Sequence, residues 1–257
     1  MNPSVFTSVI NSYLPEPHSS LLNGIIFGID IKTSKLFYEQ LKMIGLLHLV
    51  VLSGMNITIL ATIVGSLTYF FSKKLSLLLT ILTIILFIIF VGPKAPIVRA
   101  GIMGILTYVA VLTGRKNLTL YSLFLSLFFI GLFFPQWFRS LSLYLSYGAT
   151  IGIICFGPKP EDKGIIKELK TTLSAQLLTA PLIFFYFKQI SLISPISNIL
   201  VAPVIPSLMI FGFLTAFLGK INYFLGLIFS YICYGILSYV VFVIEKLSQL
   251  PFIFIQF

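Results

Sequence analysis

Residues 75–92 read LSLLLTILTIILFIIFVG, a run of 18 positions without a charged side chain. A helix needs about 20 mostly apolar residues to cross the hydrocarbon core of a bilayer. Comparable apolar runs recur along the chain, joined by short polar connections. They cover approximately residues 44–71, 96–114, 118–135, 140–157, 171–187, 191–219 and 221–244. The pattern predicts an all-α fold, a polytopic transmembrane bundle of about seven or eight spans.

The composition of the 257-residue chain supports this interpretation. Hydrophobic residues make up 58% of the sequence and charged residues only 9%, whereas soluble domains carry about 25% charged residues. Because lipid offers the backbone no hydrogen bonds, spanning segments must be helices or closed barrels. The apolar runs are continuous and lack the alternation of barrel strands, which favours helices.

The formal net charge of +10 has two interpretations. Counterion release could attract a nucleic acid, but basic residues also collect in cytoplasmic loops and set topology. With eight spans and the N-terminus outside, nine basic residues face the cytoplasm and seven face the other side. We expect a multi-pass membrane protein in this orientation.

We expect three regions along the chain. Residues 1–43 form a lead-in: an irregular or interfacial, proline-containing start at 1–20, a short surface or re-entrant turn at 21–31, and a helix at 33–43. This helix lies in the membrane interface or packs on the bundle. Residues 44–246 form the transmembrane domain, and residues 247–257 form a short hydrophobic tail. No Lys or Arg precedes Tyr13, so we expect the N-terminal segment to be retained and not cleaved as a signal peptide.

The first span holds the densest set of polar residues in the chain, namely His48, Ser53, Gly54 and Asn56. An unbroken helix would not bring them together, but a bend at Gly54 would. Brought together by such a bend, these residues either line a path or form interhelical hydrogen bonds for packing alone. A hydrolase built on His48 and Ser53 is a weaker alternative, because their spacing provides neither a dyad nor an oxyanion site.

Arg99 lies within one turn of the start of its span, in PIVRAGIMGILTYV. A cation is costly in the bilayer, so it either extends to the interface or lines a path for an anion. The stretch at 191–219 contains Pro195, Pro203 and Pro206. It predicts either a proline-broken or re-entrant helix beside a cavity or a kinked structural helix. We expect a solvated loop over Gly157–Lys170.

No metal site, cofactor or enzymatic activity is predicted. The chain has two histidines and two cysteines and none of the usual metal-ligand spacings. Cys155 and Cys233 each lie in an apolar run, where we expect them to be small buried hydrophobes without a disulfide.

Four blocks of sequence together resemble the membrane domain of the ComEC family, the channel through which competent bacteria import single-stranded DNA. The blocks are LKMIGLLHLVVLSGMNITIL at 41–60, PIVRAGIMGILTYVAVLTGR at 96–115, LSLYLSYGATIGII at 141–154, and the proline-containing segment at 175–212. The chain departs from the family at Asn56, where many members carry a second histidine, and at Ser140, where a glutamine is frequent. The blocks extend over about residues 21–219.

The resemblance implies an inner-membrane channel for single-stranded DNA in natural transformation. It implies that ten residues line the path: His48, Ser53, Gly54, Asn56, Arg99, Arg115, Ser142, Pro181, Asn198 and Pro203. It further implies partners besides membrane lipid: a separate nuclease, an external DNA receptor, and a cytoplasmic motor or single-strand-binding protein. A homodimer is compatible with such a channel. The alternative is a transporter of a small anion or other solute through the broken helix.

Overall fold

The computed structural model describes residues 3–29, 33–47, 54–114, 119–159, 161–250 and 254–256. These residues form two compact units. The central unit is Ser53–Cys155, and the terminal unit combines Met1–Leu52 with Phe156–Phe257. The part of the chain described is almost entirely helical, as the apolar runs predict.

The helices follow one another in chain order with short connections. They are α1 Ser4–Tyr13, α2 His18–Phe27, α3 Lys35–Met43, α4 Gly54–Leu67, α5 Lys73–Val91, α6 Ala95–Leu112, α7 Thr119–Phe133, α8 Leu141–Phe156, α9 Gly164–Phe187, α10 Ser194–Val201, α11 Ile205–Ile221 and α12 Tyr223–Ser248. Short 3-10 turns lie at Pro135–Arg139 and Ala202–Val204.

Three stretches are long and apolar enough to cross a membrane within the described residues. They are Lys73–Val91, Ser194–Ile221 and Tyr223–Ser248. Four further apolar helices are shorter: Gly54–Leu67, Ala95–Val111, Thr119–Phe133 and Leu141–Phe156. These helices agree with seven of the eight apolar runs, and a total of seven or eight spans stays a prediction.

The prediction that the N-terminal lead-in is an irregular segment followed by a surface turn is wrong. Residues 4–13 and 18–27 are helices, and every residue of α2 from Ser19 to Phe27 is buried. Helix α2 ends at Gly28, which adopts the left-handed conformation. A ten-residue helix is too short to span a bilayer, and α2 buries its apolar residues inside the terminal unit.

Helix α3 has the mixed pattern expected of an interfacial helix. Leu36 and Tyr38 are exposed while Phe37 and Leu41 are buried. The Ser34 hydroxyl accepts from the Phe37 N–H and caps the helix. Whether this helix lies in the interface stays a prediction.

The predicted span at 44–71 does not begin as a continuous helix. Helix α3 stops at Met43, and Ile44 and Gly45 form a turn in which Gly45 has φ +74°. A left-handed residue with little free space around it suits glycine. The described helix of this run is α4, from Gly54 to Leu67.

The proline-rich stretch is interrupted without leaving the helical region. Pro195 and Pro206 lie in the first turns of α10 and α11, where a missing N–H costs nothing. Pro203 lies in the 3-10 turn between them, and Ala202 and Ile205 keep right-handed helical dihedrals. The described backbone is therefore an interrupted helix, and a re-entrant course stays a prediction.

The predicted solvated loop at 157–170 is shorter than expected. Helix α9 begins at Gly164, so the second half of the loop forms its first two turns. Asp162 receives a bond from Lys170 Nζ at 2.7 Å and another from the Lys159 N–H at 2.7 Å. These contacts, that from Lys170 first, lower the pKa of the Asp162 carboxyl below its ordinary value.

Two three-residue strands depart from the all-α prediction. Gln189–Ser191 pairs antiparallel with Phe254–Gln256, and Ile190 lies opposite Ile255. The predicted hydrophobic tail therefore includes a strand. Among the cysteines, Cys233 is buried as expected, whereas Cys155 is exposed, contrary to the prediction.

Candidate functional site

Arg99 is the one cation reported as buried among the described residues, with an exposed fraction of 9%. It is the fifth residue of α6, a helix that starts after the extended residue Lys94 and has Pro96 in its first turn. This start of the helix directs the side chain into the central unit. The guanidinium is therefore buried among the helices of this unit.

The guanidinium bonds to helix α8 through one nitrogen. Arg99 Nη1 donates to Thr150 Oγ1 and approaches Met103 Sδ at 3.9 Å. Its central carbon lies 5.6 Å from the centroid of the Tyr147 ring, within cation–π range. Tyr147 and Thr150 are three positions apart and so share one face of α8.

A chain of hydroxyl groups leads from this arginine to α7. The Tyr147 hydroxyl and Ser126 Oγ are 2.8 Å apart, and Ser126 Oγ donates to the Leu123 carbonyl at 2.7 Å. These polar groups lie in the apolar core of the unit. That core cluster comprises Ala95, Leu123, Ile130, Leu143 and Tyr147. The site is thus fixed by three helices and enclosed by hydrocarbon.

Gly54 borders the other side of the guanidinium. A Cβ built on Gly54 would lie 3.4 Å from Arg99 Nη2 and 3.0 Å from the Ala100 Cβ. The contact with Ala100 is tight, and a Cβ at this position would also occupy the space next to Nη2. Asn56, on the same helix, is completely buried.

The central unit contains no acidic residue. Its sequence, residues 53–155, has no Asp or Glu and seven basic side chains. They are Lys73, Lys74, Lys94, Arg99, Arg115, Lys116 and Arg139. Within the part of the chain that the structure describes, no carboxylate pairs with Arg99. A buried charge without a counter-ion is costly, which points to an anionic ligand.

A second polar cluster lies in the terminal unit. Ser197 Oγ donates to the Ile44 carbonyl at 2.7 Å. A Cβ on Gly45 would lie 2.7 Å from the Ser194 Cβ and 3.2 Å from the Ser191 Cβ. The turn at Gly45 therefore packs directly against the start of α10.

Asn198 lies on the same buried face of α10 as Ser194 and Ser197. It is 7% exposed, and its Oδ1 has no hydrogen-bond partner within the described ranges. Two other predicted path residues of this unit, Pro181 in α9 and Pro203, are exposed. The structure does not bring these two prolines into the buried cluster.

The predicted residues divide between the two units. Gly54 and Arg99 lie close together in the central unit, whereas Ser142 is exposed on α8. Ser142 precedes Tyr147 by five positions, about 140° around a helix, so it is not on the face that meets Arg99. His48, Ser53 and Arg115 lie outside the described residues.

Sequence reasoning missed Thr150, Tyr147 and Ser126. The block at 141–154 contains the first two, and their spacing of three was the available signal. Nothing in the sequence distinguishes Ser126 from other serines in apolar helices. No group of three potential metal ligands occurs among the residues described.

By fold and site, the chain is a helical membrane protein with an arginine buried in the core of its central unit. It belongs to the competence protein family, whose pattern it matches over residues 25–257. This match confirms the resemblance found in the four sequence blocks.

Two curated relatives are similar to most of the chain. ComE operon protein 3 of Bacillus subtilis (strain 168) is 22% identical over 76% of this chain and 26% of its own length. An uncharacterized protein of Aquifex aeolicus (strain VF5) is 28% identical over 76% of this chain and 41% of its own length. The chain thus spans well under half of either relative. No solved structure matches it.

Proposed function

We propose that this chain is the membrane-embedded part of a DNA-uptake system and passes single-stranded DNA across the bacterial inner membrane. Membership of the competence protein family supports this function. Arg99, buried in a unit with seven basic and no acidic side chains, is the observation that carries it. A polyanion crossing a membrane needs fixed positive charge and no fixed negative charge along its path.

The proposed path passes Arg99 and Gly54 in the central unit. The Arg99 guanidinium neutralises backbone phosphates in turn, and Tyr147 holds it by a cation–π contact. Within the described ranges, Thr150 and Met103 use only one of its nitrogens, which leaves the other donors for phosphate oxygens. Asn56, Ser142, Pro181, Asn198 and Pro203 stay path candidates by resemblance.

Strand degradation and the driving force are assigned to other components. We propose that this chain works as a monomer or as a homodimer. Its proposed partners are a separate nuclease, an external DNA receptor, and a cytoplasmic motor or single-strand-binding protein. The chain itself carries out no chemical step in this scheme.

An uptake assay tests the proposal. The purified chain is reconstituted in oriented liposomes with an inside-positive potential, and entry of labelled single-stranded DNA is measured with duplex DNA as a control. Arg99→Gln is expected to reduce entry at least tenfold. Arg139→Gln removes an exposed cation of the same unit and is expected to reduce entry less than twofold.

The same assay can also contradict the proposal. Equal entry for Arg99→Gln and wild type would remove Arg99 from the path, and absence of entry in folded, oriented wild type would contradict the channel. Entry of a small anion without DNA would favour the second candidate, an anion transporter. The buried arginine is compatible with that alternative as well.

A further inference from the structure

The donors that Arg99 leaves unused define one edge of its guanidinium. Nη1 is bonded to Thr150 and Met103. Nε is buried and has no partner among the described residues. Within these residues, both hydrogen bonds of the guanidinium come from Nη1. Nε–H and one Nη2–H point in the same direction, and together they form the edge that binds two oxygens of a carboxylate or phosphate.

No protein group in the central unit can occupy this edge as an anion. The unit has neither Asp nor Glu, and arginine stays charged at any accessible pH. Tyr147 offers only the face of its ring, and Thr150 is neutral. The surrounding cluster is apolar, and Arg99 is only 9% exposed.

Gly54 leaves room beside the same edge. The position of a Cβ on Gly54 is 3.4 Å from Nη2. The same Cβ would lie 3.0 Å from the Ala100 Cβ, a tight contact, and in ordinary van der Waals contact with Nη2. A glycine therefore borders the edge on which an anion would bind.

We propose that the Nε–Nη2 edge of Arg99 is an oxyanion-binding site that holds inorganic phosphate or sulfate when no nucleic acid is present. The proposal deepens the proposed function and rests on it, because a phosphodiester of DNA presents the same pair of oxygens. The planar, two-donor geometry selects an oxyanion over chloride. An ordinary exposed lysine would not make this distinction.

Binding of radiolabelled inorganic phosphate to the purified full chain in lipid nanodiscs tests the site. Wild type is expected to bind one phosphate per chain, and sulfate is expected to compete at least tenfold better than chloride at equal ionic strength. Arg99→Lys keeps the charge but removes the two-donor edge, and it is expected to weaken phosphate binding at least tenfold. Arg139→Gln is expected to bind as wild type does.

Gly54→Ala provides a second variant that retains Arg99. Its methyl group is expected to weaken phosphate binding several-fold while the protein keeps its thermal stability within a few degrees. If Arg99→Lys fails to fold, phosphate binding by Gly54→Ala tests the proposal instead. Unchanged phosphate binding in Gly54→Ala and in any folded Arg99→Lys, or equal competition by chloride and sulfate, would overturn the proposal.

The two proposals fail in different ways. Phosphate binding that depends on Arg99, without passage of single-stranded DNA in liposomes, would leave the oxyanion site standing and remove the channel. DNA passage that depends on Arg99, without phosphate binding by wild type, would leave the channel standing and remove the resident site. Displacement of labelled phosphate by an oligonucleotide distinguishes a shared site from two separate sites.

Discussion

Ser197 in α10 donates a hydrogen bond to the main-chain carbonyl of Ile44 over 2.7 Å, although the two residues are 153 positions apart. Ser197 is completely inaccessible. The bond joins the turn after α3 to the proline-rich stretch, two segments that both lie in the sequence blocks typical of the family. The Ile44 carbonyl lies just beyond the end of α3, and this bond satisfies it.

Ser197→Ala is expected to lower the free energy of unfolding by about 1–3 kcal/mol, because it leaves the Ile44 carbonyl buried without its partner. Denaturant titration in detergent micelles measures the change. Ser230→Ala is the matched control, since among the described residues the buried Ser230 hydroxyl bonds only to Leu227 in its own helix. An equal loss of unfolding free energy in both variants would show that the bond to Ile44 stabilises the protein no more than a bond within one helix does.

The packing of Gly45 against Ser194 leads to a second prediction. Gly45 has φ +74° and no room for a Cβ, whereas Gly114 has φ +66° and nothing within 4 Å. Gly114→Ala is expected to cost only the left-handed strain, about 1–2 kcal/mol. Gly45→Ala is expected to cost a further 1–3 kcal/mol, roughly, from overpacking.

Unfolding free energies of the two alanine variants separate strain from crowding. The double variant Gly45→Ala, Ser194→Gly is expected to recover part of the added loss, because it removes the atoms that the new Cβ meets. Identical costs at Gly45 and Gly114 would mean that the turn shifts freely and that the contact is not constrained.

The hydropathy of the sequence predicted the fold well where apolar runs are long. Lys73–Val91 and Tyr223–Ser248 match their predicted runs, because length and composition alone decide whether a helix can span a bilayer. Helix α2 was not predicted, because it is too short to be recognised by this criterion. Its ten residues include Asn23 and Gly24, and only its burial inside the terminal unit makes it a stable helix.

The candidate site was predicted in part. Arg99 and Gly54 were found from the cost of a buried charge and from a glycine among polar residues, and the structure places them together. Thr150 and Tyr147 were missed, whereas Ser142 was chosen from the family resemblance and lies exposed on another face of α8. Deciding between them requires knowing which face of α8 meets α6.

Protonation of His18 provides a prediction for pH dependence. The ring stacks on Tyr234 with centroids 4.8 Å apart, and Nε2 lies 3.1 Å from Ser238 Oγ. Burial lowers the pKa of His18, an effect that Glu16 and Glu245 oppose in part. Helix α2 is not among the helices long enough to span a membrane.

Because the folded state binds this proton less readily than the unfolded chain, stability is expected to be full at neutral pH. It falls as the pH drops through about 6.5, the ordinary histidine value. Unfolding measured between pH 7.5 and 5 should show this loss in wild type and a flatter profile in His18→Gln. His48→Gln, at the chain's other histidine, is the control. A profile unchanged by His18→Gln would assign the pH dependence to other groups.

Two glycines of α12 provide the sharpest comparison. A Cβ on Gly226 would lie 2.5 Å from the Gly219 Cα and 2.6 Å from the Tyr13 hydroxyl, whereas Gly235 has nothing within 4 Å. The Tyr13 hydroxyl is itself held by the Tyr223 carbonyl at 3.0 Å. Because main-chain atoms of α11 cannot yield as a side chain can, Gly226→Ala is expected to cost about 3 kcal/mol.

Gly235→Ala is expected to be neutral or to stabilise the protein by up to about 1 kcal/mol, because alanine has the higher helix propensity. Both changes add one methyl group to the same helix, so their difference isolates the close approach of α11 and α12. Denaturant titration of the two variants measures it. A cost at Gly226 no larger than that at Gly235 would show that the hairpin can open by the width of a methyl group, and that the glycines are not required for its packing.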